Sequence, residues 1–188
     1  ASHRLSSAIF RESDAQLLDK LRLTEGRYLK RAAVLLFHPD PERFVTGAFI
    51  KIGYFQTNSE LLFHDTIHGD LFSQIDKTMD LLLSKYLKAM ISYKGVQRVE
   101  TYPVPEEALR EALLNAVTHK DYSSGVPIQI SVYEHTILFW NNGELYEDWT
   151  VDNLLQKHSS QPFNPDVAHT FFRAGMIETW GRGIEHMI

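Results

Sequence analysis

The sequence contains no cysteine. That absence removes the disulfide scaffold, the thiolate zinc site and the cysteine nucleophile together, and it fits a reducing compartment. Positive charge is also short. Lys and Arg number 19 against 24 Asp and Glu in 188 residues, giving a net charge of −5 and a pI near 6.0. Such a balance argues against a domain that grips nucleic acid by bulk charge. No apolar run approaches the roughly 18 residues that a membrane helix needs. Greasy stretches such as Ala32 to Phe37 and Leu81 to Leu83 are core-sized. Ala1-Ser2-His3-Arg4 lacks a hydrophobic signal region, so the chain is expected to be soluble and cytoplasmic. There is no P-loop glycine pattern, no Ser/His/Asp order of a hydrolase triad, no internal repeat and no low-complexity tract.

What is present is an ordinary globular mixture, 44% hydrophobic and 23% charged, enough for a packed core in one domain or two small ones. Ser13 before Asp14 predicts an N-cap for a short helix carrying Leu17, Leu18 and Leu21. The run Arg31 to Phe37 is stopped by His38-Pro39-Asp40-Pro41. Phe44 to Phe55 reads as a strand, with Leu61 to Ile67 as its partner. Apolar residues at three- and four-residue steps from Leu71 to Met90 predict one long amphipathic helix over Asp70 to Ile91. A boundary is expected near Lys94-Gly95 or around Tyr102-Pro103-Val104-Pro105. Beyond it come a helix over Glu106 to Thr118, a strand over Ile128 to Tyr133, a turn at Glu134-His135, and a strand over Thr136 to Trp140. Trp140 and Trp180 are expected to be packing residues.

Three segments could carry chemistry. Glu111 and Asn115 stand four apart on one helix face, where a carboxylate can activate a water and an amide oxygen can meet a hard cation such as Mg²⁺. On its own, such a pair is more often a solvated face. Asn141-Asn142-Gly143 ends a strand, with an amide able to read a base edge; a plain turn is the simpler explanation. Trp180-Gly181-Arg182-Gly183 opens a helix, where glycine-freed backbone amides suit an anion; a close-packed loop is the alternative. His64 and His68 flank Asp65, but strand-and-loop spacing does not converge their rings, which disfavours a metal site.

Taken in order, these segments resemble the GHKL (Bergerat, histidine-kinase-like) ATPase fold. Glu111 to Ser123, with Asn115-Ala116-Val117-Thr118-His119-Lys120-Asp121-Tyr122 at its centre, and Trp180 to Ile184 resemble its branch of transcriptional regulators with a RecG-related helicase C-terminal domain. The resemblance implies an α+β protein of two α/β sandwich-like halves. Residues 1–100 would follow a Schlafen/AlbA-type domain, and 101–188 would be a GHKL-like mixed sheet covered by helices, truncated at its end. It implies Glu111 as general base and Asn115 as the magnesium ligand. Asn141 would read adenine, and Gly143, Gly181 and Gly183 would be the phosphate and lid glycines; Arg182 between them could touch the phosphates or face solvent. Residues 144–180 would be the ATP lid. Just past the helix, His119 and Asp121 stand where they could orient the helix end or the lid, with a histidine that complements the helix dipole as the equal alternative. In this sequence position 141 is an amide where the classical fold has a carboxylate, and Leu145 stands where that box has its second glycine.

The function this implies is an ATP-binding regulatory module that uses Mg²⁺, with ATP hydrolysis open. DNA would be met only through domains outside the chain, a homodimer is allowed, and no membrane is involved. The competing expectation is a degenerate scaffold that keeps the fold and serves dimerisation or protein interaction. The departures at Asn141 and Leu145 favour that alternative.

Overall fold

The computed structural model describes residues 12–144 and 161–177. The chain is α+β. Its first helix, α1 (Asp14–Lys20), starts at the expected cap. Ser13 Oγ accepts from the Gln16 amide, and the Gln16 side chain accepts from the Ser13 amide. Helix α1 ends through Arg22, whose φ of 58° lies in the left-handed region. The turn lets the Leu23 amide reach back to the Leu18 carbonyl and drives Leu23 fully into the core. A minimal hairpin, β1 (Thr24–Glu25) and β2 (Tyr28–Leu29), leads into α2 (Arg31–Phe37). Helix α2 buries Ala33, Leu35 and Leu36, and stops where Pro39 forces His38 into an extended conformation.

The strand expected over 44–55 is shorter than its sequence suggests. β3 covers only Ile50–Phe55, because Phe44–Phe49 winds through a turn at Gly47. There φ is +73°, and a Cβ would stand 2.3 Å from the carbonyl oxygen of Gly125. Two backbone loops touch at that point, and only glycine permits it. β4 (Leu61–Ile67) pairs antiparallel with β3, as expected.

Helix α3 (Leu71–Leu81) begins at Asp70, whose carboxylate accepts from the Ser73 amide at 2.9 Å. Its stripe of Leu71, Ile75 and Met79 is buried, and Leu82 continues it. The helix expected to run to Ile91 instead loosens into a single π turn, Leu82–Tyr86, and stops. The Leu87 amide closes that turn on the Leu82 carbonyl. The Tyr86 hydroxyl lies 3.1 Å from the Ile52 carbonyl and 2.6 Å from Asp65 Oδ2, which ties the widened turn to the sheet. Residues 90–101 form a hairpin, β5 (Met90–Lys94) and β6 (Gln97–Thr101), turning at Gly95. The spacing of Met90 and Ile91 fits a helix as well as a strand; Gly95 and the β-branched and aromatic residues around it favour the hairpin.

Helix α4 (Glu106–His119) follows Pro105, then come β7 (Ile128–Val132), β8 (Ile137–Trp140) and α5 (Pro165–Arg173). One four-stranded sheet runs in the order β4-β3-β7-β8. The central pair β3–β7 is parallel, with Ile50 opposite Ile128 and Ile52 opposite Ile130; both outer pairs are antiparallel. Strands from before and after the proline pair at 103 and 105 therefore lie side by side in this four-stranded sheet.

One face of that sheet is covered. Ile50, Ile52, Ile128, Ile130 and Val132 pack with Leu109, Leu113 and Val117 of α4 and Ile75 of α3 in the core. Burying each such side chain contributes roughly 1.5–3 kcal/mol. The opposite face carries Lys51, Gly53 and Phe55 on β3, His64 and Thr66 on β4, Gln129 and Ser131 on β7, and Leu138 and Trp140 on β8. Trp140, expected to be a packing residue, is 48% exposed there. Trp180 lies outside the described residues.

Candidate functional site

Helix α4 forms where expected because its apolar residues fall on one stripe. Leu109, Leu113, Leu114, Ala116 and Val117 are buried, while Glu106 and Glu107 sit in the first turn beside the positive end of the helix dipole. The neighbouring stripe carries Glu111 and Asn115, both half-buried. The Asn115 amide Nδ2 donates to Glu111 Oε1 at 3.3 Å. That bond aims the carboxylate and leaves the Asn115 amide oxygen as an acceptor on the same face.

The C-terminal end of α4 is where the rest of the chain converges. Helix C-termini leave carbonyls without intrahelical partners, and here they are taken up by residues distant in sequence. The Asp121 amide donates to the Asn142 carbonyl at 2.6 Å. A Cβ on Gly143 would stand 2.6 Å from the His119 carbonyl oxygen and 3.1 Å from Asn141 Nδ2. Asn141-Asn142-Gly143 is thus seated directly on the last turn of the helix that bears Glu111 and Asn115. Asn164 approaches from the other side. Its amide group donates to the carbonyls of Thr118 at 3.0 Å and Lys120 at 2.7 Å, and its backbone N–H donates to Thr118 at 2.9 Å.

Lys120 is fully buried in this junction. Its ammonium donates to the Asp121 carbonyl at 3.1 Å and lies 4.6 Å from the centre of the Tyr122 ring. Burial lowers its pKa. Asp121 turns the other way. Its carboxylate accepts from the hydroxyl and the amide of Ser123 at 2.7 and 2.8 Å, and these bonds hold its pKa below the usual carboxylate range. His119 is exposed at the helix end.

The structure therefore brings Glu111 next to Asn115 and sets Asn141 and Gly143 against the end of their helix. Gly181, Arg182 and Gly183 lie outside the described residues, as does Leu145 and much of the span 144–180. The sequence carries no signal for this role of Asn164, and Lys120 stands out in it only as a member of the Asn115–Tyr122 segment. Asn164-Pro165 is a recognisable helix start, but nothing local to Asn164 shows that its amide serves a second helix 44 residues earlier. Nothing in the sequence marks Lys120 as buried either.

His64 sits on the open face of β4, whereas His68 lies beyond the strand and meets Glu42 at 2.5 Å. Among the described residues no group of three or more His, Cys, Asp or Glu could hold a metal ion. Asn115 with Glu111 fits Mg²⁺ only in the manner of sites where a nucleotide supplies phosphate oxygens and water completes the shell. No helix of the described residues is long and apolar enough to cross a membrane.

Comparison with solved structures places the chain on a known fold. The crystal structure of the DIP2311 protein from Corynebacterium diphtheriae matches with a TM-score of 0.78 over 97% of this chain, at 22% identity. At that identity the likeness concerns the fold. This chain spans 37% of the length of that protein. No match is found among curated proteins. A family model does match, described as "Putative ATP-dependent DNA helicase recG C-terminal", over residues 125–188. Glu111 and Asn115 precede that segment, and the corner at 141–143 lies within it. In its C-terminal part, residues 125–188, the chain matches the RecG-related C-terminal family and is consistent with a GHKL-like ATPase-type domain.

Proposed function

We propose that the chain is an ATP-binding regulatory module acting in the cytoplasm, within a regulator of transcription that meets DNA through other parts of the protein. The observation that carries this reading is the Glu111–Asn115 pair, bonded at 3.3 Å on a helix whose end is seated against Asn141-Asn142-Gly143. The family match over residues 125–188 supports it.

In this reading the nucleotide lies along α4. Asn141 meets the adenine edge, its amide offering one donor and one acceptor. Gly143 lets the corner seat against the His119 carbonyl, where a Cβ would intrude, and so holds Asn141 beside the helix end. Asn115 would hold a magnesium ion through its amide oxygen, and such an ion, bound with the nucleotide, would offset phosphate charge. Glu111 orients a water toward the γ-phosphate and takes its proton, which is the role that separates hydrolysis from binding. Gly181, Arg182 and Gly183 complete the phosphate side by resemblance. The division of the chain near residue 101 belongs to this same reading.

One feature favours a second reading. An amide at position 141 lacks the charge-assisted bond that a carboxylate makes to a base amine. A scaffold that keeps the fold and binds no nucleotide, acting in dimerisation or protein interaction, would need nothing more. Calorimetric titration with Mg·ATP separates the two. The module reading expects saturable binding that Asn115→Ala abolishes and Glu111→Gln keeps, with any phosphate release lost in Glu111→Gln. No binding at millimolar nucleotide leaves the scaffold reading standing, whereas binding indifferent to Asn115→Ala overturns the role given to Asn115.

A further inference from the structure

The open face of the sheet, opposite α4, is not flat. Strand register aligns side chains in rows across it. His64, Gly53, Ser131 and Leu138 form one row, and Thr66, Lys51, Gln129 and Trp140 the next. On the other side Phe55 stacks on Tyr133, their ring centres 5.5 Å apart. The middle row is low, because Gly53 has no side chain and Ser131 a short one. The Phe55 ring and Leu61 lean over Gly53, so that a Cβ there would stand 2.8 and 2.9 Å from them. Between these rows lies a cavity of about 310 Å³, within the size range of small-molecule sites.

Its lining has two unlike sides. Phe55 and Leu61 make an apolar wall; Lys51, His64, Thr66, Gln129 and Ser131 make a polar one. None of the lining residues is acidic, although the chain as a whole carries a net charge of −5. None of the five polar side chains makes a hydrogen bond or ion pair within the protein among the described residues. The Lys51 ammonium lies 5.7 Å from the centre of the Phe49 ring and meets no carboxylate there. A cluster of unpaired donors around a cation, facing an apolar wall, is complementary to a small anion with an apolar body.

We propose that this trough binds a small carboxylate with an apolar body, at a site separate from the nucleotide cleft. The head group faces Lys51, with Gln129, Ser131 and Thr66 as neutral partners, and the body lies against Phe55 and Leu61. A carboxylate suits the site better than a phosphate. One ammonium with neutral donors balances a single charge, whereas phosphate sites gather arginine forks or helix N-termini, and the cavity lining has neither.

The test uses benzoate, its neutral isostere benzamide, and phenyl phosphate, read by backbone-amide NMR shifts on the whole chain. Saturable benzoate shifts at Lys51, Gly53, Gln129 and Ser131, without shifts at Asn115 or Asn141, are expected. Benzamide should bind at least tenfold more weakly, and Lys51→Met, an exposed position, should weaken benzoate at least tenfold. Ser131→Leu, which fills the floor, should abolish binding while leaving the fold's spectrum in place. Equal affinity for benzamide, tighter binding of phenyl phosphate, shifts centred on α4, or no saturable shift at tens of millimolar benzoate would overturn the proposal. Mg·ATP binding is read at Asn115 and Asn141, so failure of the nucleotide reading leaves this outcome unaffected.

Discussion

The side-chain amide of Asn164 donates to the Lys120 carbonyl at 2.7 Å, joining the start of α5 to the end of α4 across 44 residues of sequence. With its second bond to Thr118 it takes up two carbonyls that the helix itself leaves unpaired. Replacing Asn164 with Ala should therefore cost about 1–3 kcal/mol in urea unfolding. Asn164→Asp should cost more, because a carboxylate would face two carbonyl oxygens without a hydrogen to offer. An Asp variant as stable as the parent would refute the bonding scheme.

Gly143 makes a sharper prediction, since its contact is with backbone. A Cβ at 2.6 Å from the His119 carbonyl oxygen has no flexible neighbour to push aside. Gly143→Ala is expected to lift the Asn141–Gly143 corner from α4, shifting the amide resonances of Asn142 and Asp121. On the nucleotide reading it should also weaken Mg·ATP at least tenfold. Unchanged resonances would show that the corner is not held where we describe it.

Asp65 and Tyr86 set a pH dependence. Bonds from Lys85 and then Tyr86 hold the Asp65 carboxyl below its ordinary pKa. A depressed carboxylate contributes stability that is complete above the unfolded value of about 4 and is lost as the pH falls through the folded one. Tyr86 is shifted the other way, first by burial and then by Asp65. Its contribution holds below the unfolded value of about 10 and fades above it. Melting temperature should fall on both the acid and the alkaline side, and Tyr86→Phe should flatten both slopes. A Phe variant with the parent's profile would assign the slopes elsewhere.

Arg22 holds a left-handed φ of 58° at the end of α1. A residue with a Cβ pays roughly 1–2 kcal/mol there, and glycine avoids it at some cost in chain entropy. Arg22→Gly should leave stability unchanged or raise it by up to about 1 kcal/mol, and Arg22→Val should lower it. The thermal midpoints of the two variants decide.

How much of this was legible in the sequence depends on how local the cause was. Caps and periodic stripes are local, so α1, α4 and the β7–β8 hairpin followed from Ser13, the Leu109–Val117 pattern and the Glu134-His135 turn. The end of α3 was not legible. Tyr86 is fixed by groups on β3 and β4, and no spacing within 70–91 records that. The Glu111–Asn115 pair was readable from the helix period alone. That their helix end would be gripped by Asn142, Gly143 and Asn164 was not, because those bonds depend on how distant segments pack.

The parallel pairing of β3 with β7 has a consequence for how the molecule assembles. Ile50 and Ile128 are neighbours in space and 78 positions apart in sequence (128 − 50), so joining the β3–β4 pair to the β7–β8 pair at the sheet's centre closes a long loop. Contacts of that range impose an entropic cost early and return stability late, which slows folding relative to a helical bundle of this size. Neither flank has a finished sheet until the other arrives. A nascent chain released at residue 101 would hold β3 with one edge bare, and a fragment beginning at 125 would hold β7 in the same condition. The order of synthesis therefore leaves β3 waiting for β7, a window in which its unpaired edge is the part of the molecule most open to pairing with another chain.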